Sequence, residues 1–284
     1  MHGSRSSMLA GDERDPLDGI RVSTVKVSHI WLFAAVTAFL SLAGLLLLPG
    51  IVGPLVVVFI PTVVSIALIR WVDGPGQARA LLFSSSRWRV TYRLGLILLG
   101  LALVVRVGVG LVGGAVIPGY VWEIGAFTPF LLGVFLFAAA EEIGWRGFAL
   151  PALMARGYRP LTATLLLGIP WAVLHLPLVM SGRLNDGWSP WAMLLFMMAL
   201  SVIVSWSYLA GGFSILAAVL FHGGQNALSF LNDGIDARGS SWVMAGVYGV
   251  VALSILVVNG GRLGVPRSGT DAILEAQTES RVQY

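Results

Sequence analysis

Two adjacent glutamates, Glu141 and Glu142, close the apolar run that extends from Phe127 to Ala140. A carboxylate in hydrocarbon is costly, so acids inside membrane segments are rare and usually functional. Of the 14 acidic residues in the chain, these two alone fall within a segment apolar enough to span a bilayer. Arg146 follows Glu142 by four positions and shares its helix face. Two of the four histidines, His175 and His222, lie in later apolar segments. The polar residues fall into three short patterns: Glu141-Glu142-Ile-Gly-Trp-Arg146, Trp171-Ala-Val-Leu-His175-Leu-Pro177 and His222-Gly-Gly-Gln-Asn226. In the second and third the key residues are four apart and face the same way. Gly223 and Gly224, between His222 and Asn226, permit close helix packing or close approach of a substrate.

The chemistry that needs such a set is hydrolysis. A desolvated carboxylate gains basicity and can take a proton from water. One histidine can hold the same water or protonate a leaving amine. A second histidine and an amide NH2 can donate to the oxyanion of a tetrahedral intermediate. Glu142 would pair with Arg146 and hold its neighbour in place. The alternative is a metal: Glu141, His175 and His222 form a set of zinc-ligand types that would leave one position open for water. Taken singly, each of these features has an ordinary reading, as a packing histidine or a structural ion pair. Their conjunction in order is what carries a site.

The elements that must position these residues are membrane helices. The chain has 284 residues, 57% of them hydrophobic and only 11% charged, against about 25% charged in a soluble domain. A spanning helix takes about 20 mostly apolar residues. Eight segments qualify: Ile30–Leu48, Leu55–Arg70, Leu94–Ile117, Phe127–Leu150, Leu161–Val179, Trp191–Leu209, Ser214–Leu231 and Trp242–Val258. The fold class expected is therefore all-α, a polytopic bundle of about eight transmembrane helices over residues 29–259. Residues 1–28 and 260–284 read as polar cytoplasmic tails, the first of them disordered. Pro61 interrupts the second segment, and Pro170 and Pro177 are expected to kink the fifth. Arg106 falls inside the third, where it snorkels, pairs with an acid or marks a misplaced boundary. The basic, partly apolar stretch Gly76–Val90 suits an interfacial helix or a plain charged connector. Met193, Met197 and Met198 are assigned to packing, and Trp88, Trp188, Trp191 and Trp242 to an aromatic belt at the membrane surface.

Charge sets the orientation. Eight helices with both termini in the cytoplasm place fifteen of the eighteen basic residues on that side, as the positive-inside rule requires. Lys26 is the one lysine against seventeen arginines, a bias that points to a GC-rich bacterial genome. The localisation expected is the plasma membrane. The net charge of +4 calls for no nucleic acid, since no basic patch is interleaved with aromatics. Cysteine is absent, which removes disulfides, thiolate metal sites and a cysteine nucleophile.

The three patterns, in this order on successive apolar segments, resemble the CPBP family of intramembrane proteases. That family includes the type II CAAX prenyl endopeptidases and the bacteriocin-processing or immunity proteins once called Abi. The resemblance covers roughly residues 125–231 and implies an eight-helix fold. By position it implies that Glu141 activates the attacking water, that His175 shares that water, and that His222 and Asn226 stabilise the oxyanion, with Glu142 and Arg146 in support. The second pattern begins with Trp171 where the family usually has Phe. Other intramembrane chemistries fit poorly: there is no HExxH, no Asp within a spanning segment, and Gly212-Phe-Ser214-Ile is not a GxSG. The function expected is an intramembrane endopeptidase acting on a peptide or membrane-associated protein in the lipid bilayer. It requires no cofactor, with zinc as the alternative. Two other readings stand beside it, a non-proteolytic scaffold or immunity protein and a small ion-coupled transporter. The second of these lacks the inverted repeats it would need.

Overall fold

The computed structural model describes residues 25–50, 52–83, 85–113, 124–182, 185–232 and 235–265. Of the tails expected at residues 1–28 and 260–284, residues 1–24 and 266–284 lie outside this set. The described residues are mostly helical and contain no strand. The long helices are α1 (Val27–Leu47), α2 (Val52–Val72), α4 (Tyr92–Gly113), α5 (Ile124–Glu142), α7 (Pro160–Met180), α8 (Pro190–Ala210), α9 (Ile215–Ala227) and α10 (Ala237–Asn259). Two short helices, α3 (Pro75–Phe83) and α6 (Leu150–Met154), lie between them. Among the described residues, α1, α2, α4, α7, α8 and α10 are each long and apolar enough to cross a membrane.

The boundaries differ from expectation where a cap or a special turn intervenes. Ser214 caps the N-terminus of α9 by accepting from the Ala217 amide at 3.2 Å. At the other end α9 stops at Ala227, and a 3-10 turn, Ser229–Asn232, takes over. The expected segment Ser214–Leu231 is therefore a helix of only 13 residues, short of the roughly 20 that span a bilayer. The fourth segment is not one continuous α-helix either. After Glu142 the chain runs through a π-helical turn, Ile143–Ala149, before α6.

Neighbouring helices close a ring: α1 packs on α2, α2 on α5, α5 on α9, α9 on α4, α4 on α10, α10 on α8, α8 on α7, and α7 on α1. Small residues set the closest approaches. A Cβ on Gly223 would lie 2.5 Å from the Phe135 ring of α5, and one on Gly224 would lie 3.2 Å from Leu99 of α4. Both glycines thus serve helix packing. The surface of the ring is apolar, with Phe39, Leu46, Leu96, Val104, Leu111 and Val257 exposed. The buried polar residues include Arg106, Glu142, Arg146, His222 and Gln225. This inside-out distribution is what a lipid solvent demands.

The connector over residues 76–90 is partly helical. In α3, Ala78 and Leu81 are buried in the core. The 3-10 turn that follows, Ser85–Trp88, places Arg87 so that it donates to the Gly147 carbonyl at 2.7 Å. The connector is therefore part of the scaffold around the π turn.

Candidate active site

The first pattern sits where α5 gives way to the π turn. A π turn bonds i to i+5 and leaves carbonyls out of register with the helix ladder; such turns gather at functional sites. Two donors from outside meet carbonyls here, the Thr62 hydroxyl on Ala140 and Arg87 on Gly147. Gly144 lets α2 come close, because a Cβ there would lie 2.6 Å from the Pro61 backbone. Pro61, which carries no N–H, thus faces the turn across a gap that only glycine permits.

Glu142 is fully buried and makes two contacts through one oxygen. Its Oε1 accepts from Arg146 Nη1 at 3.0 Å and from His222 Nδ1 at 2.7 Å. Arg146 is also buried, with Nη2 3.3 Å from the Ser201 hydroxyl and its guanidinium 4.3 Å from the centre of the Trp171 ring. The expected Glu142–Arg146 pair is present, and it reaches farther than its own helix by binding His222 on α9. Removing one partner of a buried pair costs about 3–5 kcal/mol, because the other charge is stranded.

Glu141 points elsewhere. Its Oε2 accepts the indole N–H of Trp171 at 2.7 Å. Trp171 stands edge-on to both histidines, at 5.7 Å from His175 and 5.6 Å from His222 between ring centres. It thereby joins the acid, the arginine and both imidazoles, a role the sequence reading missed when it treated Trp171 as a mere aromatic variant. The available signal was chemical: indole has a donor that a phenyl ring lacks.

Hydrogen bonding sets the tautomers. His175 Nδ1 lies 2.7 Å from the Trp171 carbonyl, which can only accept, so Nδ1 carries a proton, and in the neutral tautomer Nε2 keeps its lone pair. Nδ1 of His222, against the Glu142 carboxylate, likewise carries a proton. Its Nε2 is a donor only when the ring is imidazolium.

Glu141, Trp171, His175, His222 and Asn226 all line one cavity of about 690 Å³, within the range of about 300–1,000 Å³ usual for ligand sites. Its remaining wall is largely apolar and includes Phe137, Leu174, Trp188, Met193, Phe196 and Met197. Met193, Met197 and Trp188, which the sequence assigned to packing and to the aromatic belt, thus face the site. Arg106 also lines the cavity. It is buried in α4, with Nε donating to the Gln225 carbonyl at 2.6 Å and Nη2 to the Gln225 side-chain oxygen at 2.7 Å. Arg106 and Gln225 were absent from the expected site, although a basic residue and an amide within apolar segments were visible as anomalies.

The zinc alternative meets a geometric obstacle. Among the described residues, no group of three His, Cys, Asp or Glu side chains is placed to hold a metal ion. Nδ1 of both histidines and one oxygen of Glu141 are engaged, which leaves each Nε2 and the second Glu141 oxygen outside these bonds. In this arrangement the described residues are not gathered into a three-ligand zinc site.

Comparison with known proteins reaches the same segment. Residues 123–228 match the model of the family described as type II CAAX prenyl endopeptidase Rce1-like. That segment is similar to this family. A protein named CAAX prenyl protease 2 from Methanococcus maripaludis is 33% identical over 103 residues, which is 34% of this chain and 38% of that protein. The chain thus matches well under half the length of that relative. All three polar patterns fall inside the matched segment, whereas α1 to α4 and α10 lie outside it.

Proposed function

We propose that this chain is an intramembrane endopeptidase that hydrolyses a peptide bond with a water activated by Glu141. The observation that supports this most is the meeting of Glu141, His175, His222 and Asn226 on one cavity inside an apolar bundle. A packing role would not require four polar side chains from three helices to face the same space.

The steps follow from the groups. Water enters between the free oxygen of Glu141 and the Nε2 lone pair of His175. Glu141 takes one proton as the water oxygen attacks the scissile carbonyl carbon. The carbonyl π electrons move to oxygen, where Asn226 Nδ2 and imidazolium Nε2 of His222 donate. Collapse of the tetrahedral intermediate breaks the C–N bond, and the proton held by Glu141 passes to the leaving amine. The products are one acid and one amine. Trp171 holds the other Glu141 oxygen, so the carboxylate presents one face to water throughout. Glu142 keeps His222 in place, and Arg146 holds Glu142.

The apolar cavity wall favours a peptide carrying or adjoining an apolar group. The name of the archaeal relative makes a prenylated peptide with a CAAX C-terminus the first substrate to try. Glu141→Gln keeps the carboxylate's shape and loses its basicity. In proteoliposomes we expect cleavage of a quenched fluorescent peptide of this kind to collapse in Glu141→Gln while peptide binding persists. A peptide left intact by both proteins moves the search to cells, comparing membrane peptides made with wild type and with the variant. Equal activity of the two on any cleaved substrate removes the proteolytic reading and leaves a scaffold that keeps the polar set for structure.

A further inference from the structure

An amide is nearly symmetric in shape but not in polarity. Nitrogen and oxygen can exchange places with little change in packing, and the exchange turns a donor into an acceptor. Asn226 can stabilise an oxyanion only if its NH2, and not its oxygen, faces the cavity. Something must decide between the two orientations.

Arg106 makes that decision through Gln225. A guanidinium has donors and no acceptor, so the group that Arg106 Nη2 meets at 2.7 Å must be the oxygen of the Gln225 amide. The Tyr248 hydroxyl of α10 donates to the same oxygen at 2.9 Å, which occupies both of its lone pairs. Gln225 is buried, and its NH2 is left facing Asn226, where Nε2 donates to Oδ1. With its oxygen held there, Asn226 turns its own NH2 away from Gln225. Arg106 also donates through Nε to the Gln225 main-chain carbonyl at 2.6 Å, in the last turn of α9, where helix carbonyls lack intrahelical donors. One cation from α4 thus fixes both the backbone and the side chain of the residue next to Asn226.

We propose that Arg106 and Gln225 are positioning residues that set the polarity of the Asn226 amide, so that its NH2 is presented to the reacting carbonyl. This rests on the reading of Asn226 as an oxyanion donor. The orientation passes from a donor-only group on α4 to an amide on α9 and then to its neighbour, with Tyr248 closing the one remaining acceptor site. A fixed donor aimed where charge develops needs no reorganisation during the reaction.

Gln225→Glu is the decisive variant. A carboxylate at this position keeps the bonds to Arg106 and Tyr248 but has no N–H for Asn226. Asn226 must then reverse, donating its NH2 to the carboxylate and showing its oxygen to the cavity. On the prenylated CAAX peptide we expect kcat to fall about 10²–10³-fold, as for loss of one oxyanion donor, with KM and thermal stability in detergent held near wild type. Asn226→Ala is measured alongside. If Asn226→Ala leaves kcat intact, the oxyanion reading itself fails. If Asn226→Ala is slow and Gln225→Glu is not, that reading stands and the relay is overturned.

A second readout needs no turnover. The chain has four asparagines, so selective 15N labelling gives few side-chain amide signals, and Asn226→Ala assigns the one of interest. In wild type the Asn226 NH2 faces the cavity and its protons should exchange readily with water. In Gln225→Glu they are bonded to the carboxylate, and exchange should slow. Equal exchange in the two proteins overturns the proposal whatever the kinetics show. Should Gln225→Glu not fold, Arg106→Lys against Arg106→Met puts the same question. Lysine is also donor-only and should retain more kcat than methionine, whereas equal kcat in both overturns the relay.

Discussion

At the scale of single residues, Trp171 is the group that ties the site together. Its N–H meets Glu141, its face lies under Arg146, and its edges meet both histidines. Trp171→Phe keeps most of the ring and removes the donor. A hydrogen bond to a charged group contributes about 1.5–3 kcal/mol. Some of this is recovered from water in the cavity, so we expect kcat to fall about tenfold, the low end of that range, while the protein remains folded. Steady-state kinetics on the cleaved substrate check this, and an unchanged kcat would mean that Glu141 is oriented without the indole. The four polar residues that share the cavity were legible from their types and spacing, because intramembrane acids and histidines have few ordinary uses. The relay from Arg106 was not. It depends on which end of an amide faces which neighbour, and no spacing rule encodes that.

At the scale of elements, the π turn after α5 does the work that the first pattern alone does not explain. It inserts between Glu142 and α6, and two side chains from other elements meet carbonyls there, Thr62 that of Ala140 just before the turn and Arg87 that of Gly147 within it. Hydropathy cannot reveal it, since the residues from Ile143 to Ala149 are as apolar as a regular helix would require. Its sequence trace is Gly144, where the backbone of Pro61 leaves no room for a Cβ. We expect Gly144→Ala to separate α2 from the turn and to destabilise the protein by about 1–3 kcal/mol, the usual cost of overpacking, with Glu141 displaced and activity reduced as well. Thermal unfolding in detergent measures the first and turnover the second. A variant as stable and as active as wild type would show that α2 can yield there. The six long spans were legible because bilayer thickness dictates their length. The end of α9 was not, since a helix that stops early inside a bundle keeps the same composition as one that continues.

At the scale of the whole molecule, the ring of helices encloses its charge and exposes its grease. That arrangement, together with the grouping of arginines at alternate ends of the spans, leads us to propose that both termini face the cytoplasm. Fusions of a periplasm-active and a cytoplasm-active reporter to each end should behave alike, and opposite behaviour of the two ends would mean that the chain crosses the membrane an odd number of times. The membrane reading came from composition alone, because few compositions combine 57% hydrophobic with 11% charged residues. The closure of the ring, α1 against α7 and α4 between α9 and α10, was not visible, since lipid-facing and bundle-facing apolar residues look the same in a sequence.

The methionines of the cavity wall carry a further consequence. The chain has no cysteine, so thiol-directed reagents find no target on it. Its oxidant sensitivity is moved to thioether sulfur: Met193, Met197 and Met244 line the cavity, and the sulfur of Met244 lies 3.5 Å from Arg106 Nη1. Sulfoxide formation would turn flexible apolar side chains into polar ones. The wall that favours an apolar substrate would then hold water instead, and a strong acceptor oxygen on Met244 would compete with Gln225 for the arginine. Peroxide stress would thus reach this site through the surface that contacts substrate, and methionine sulfoxide reductases, rather than thiol reductants, would be what reverses it.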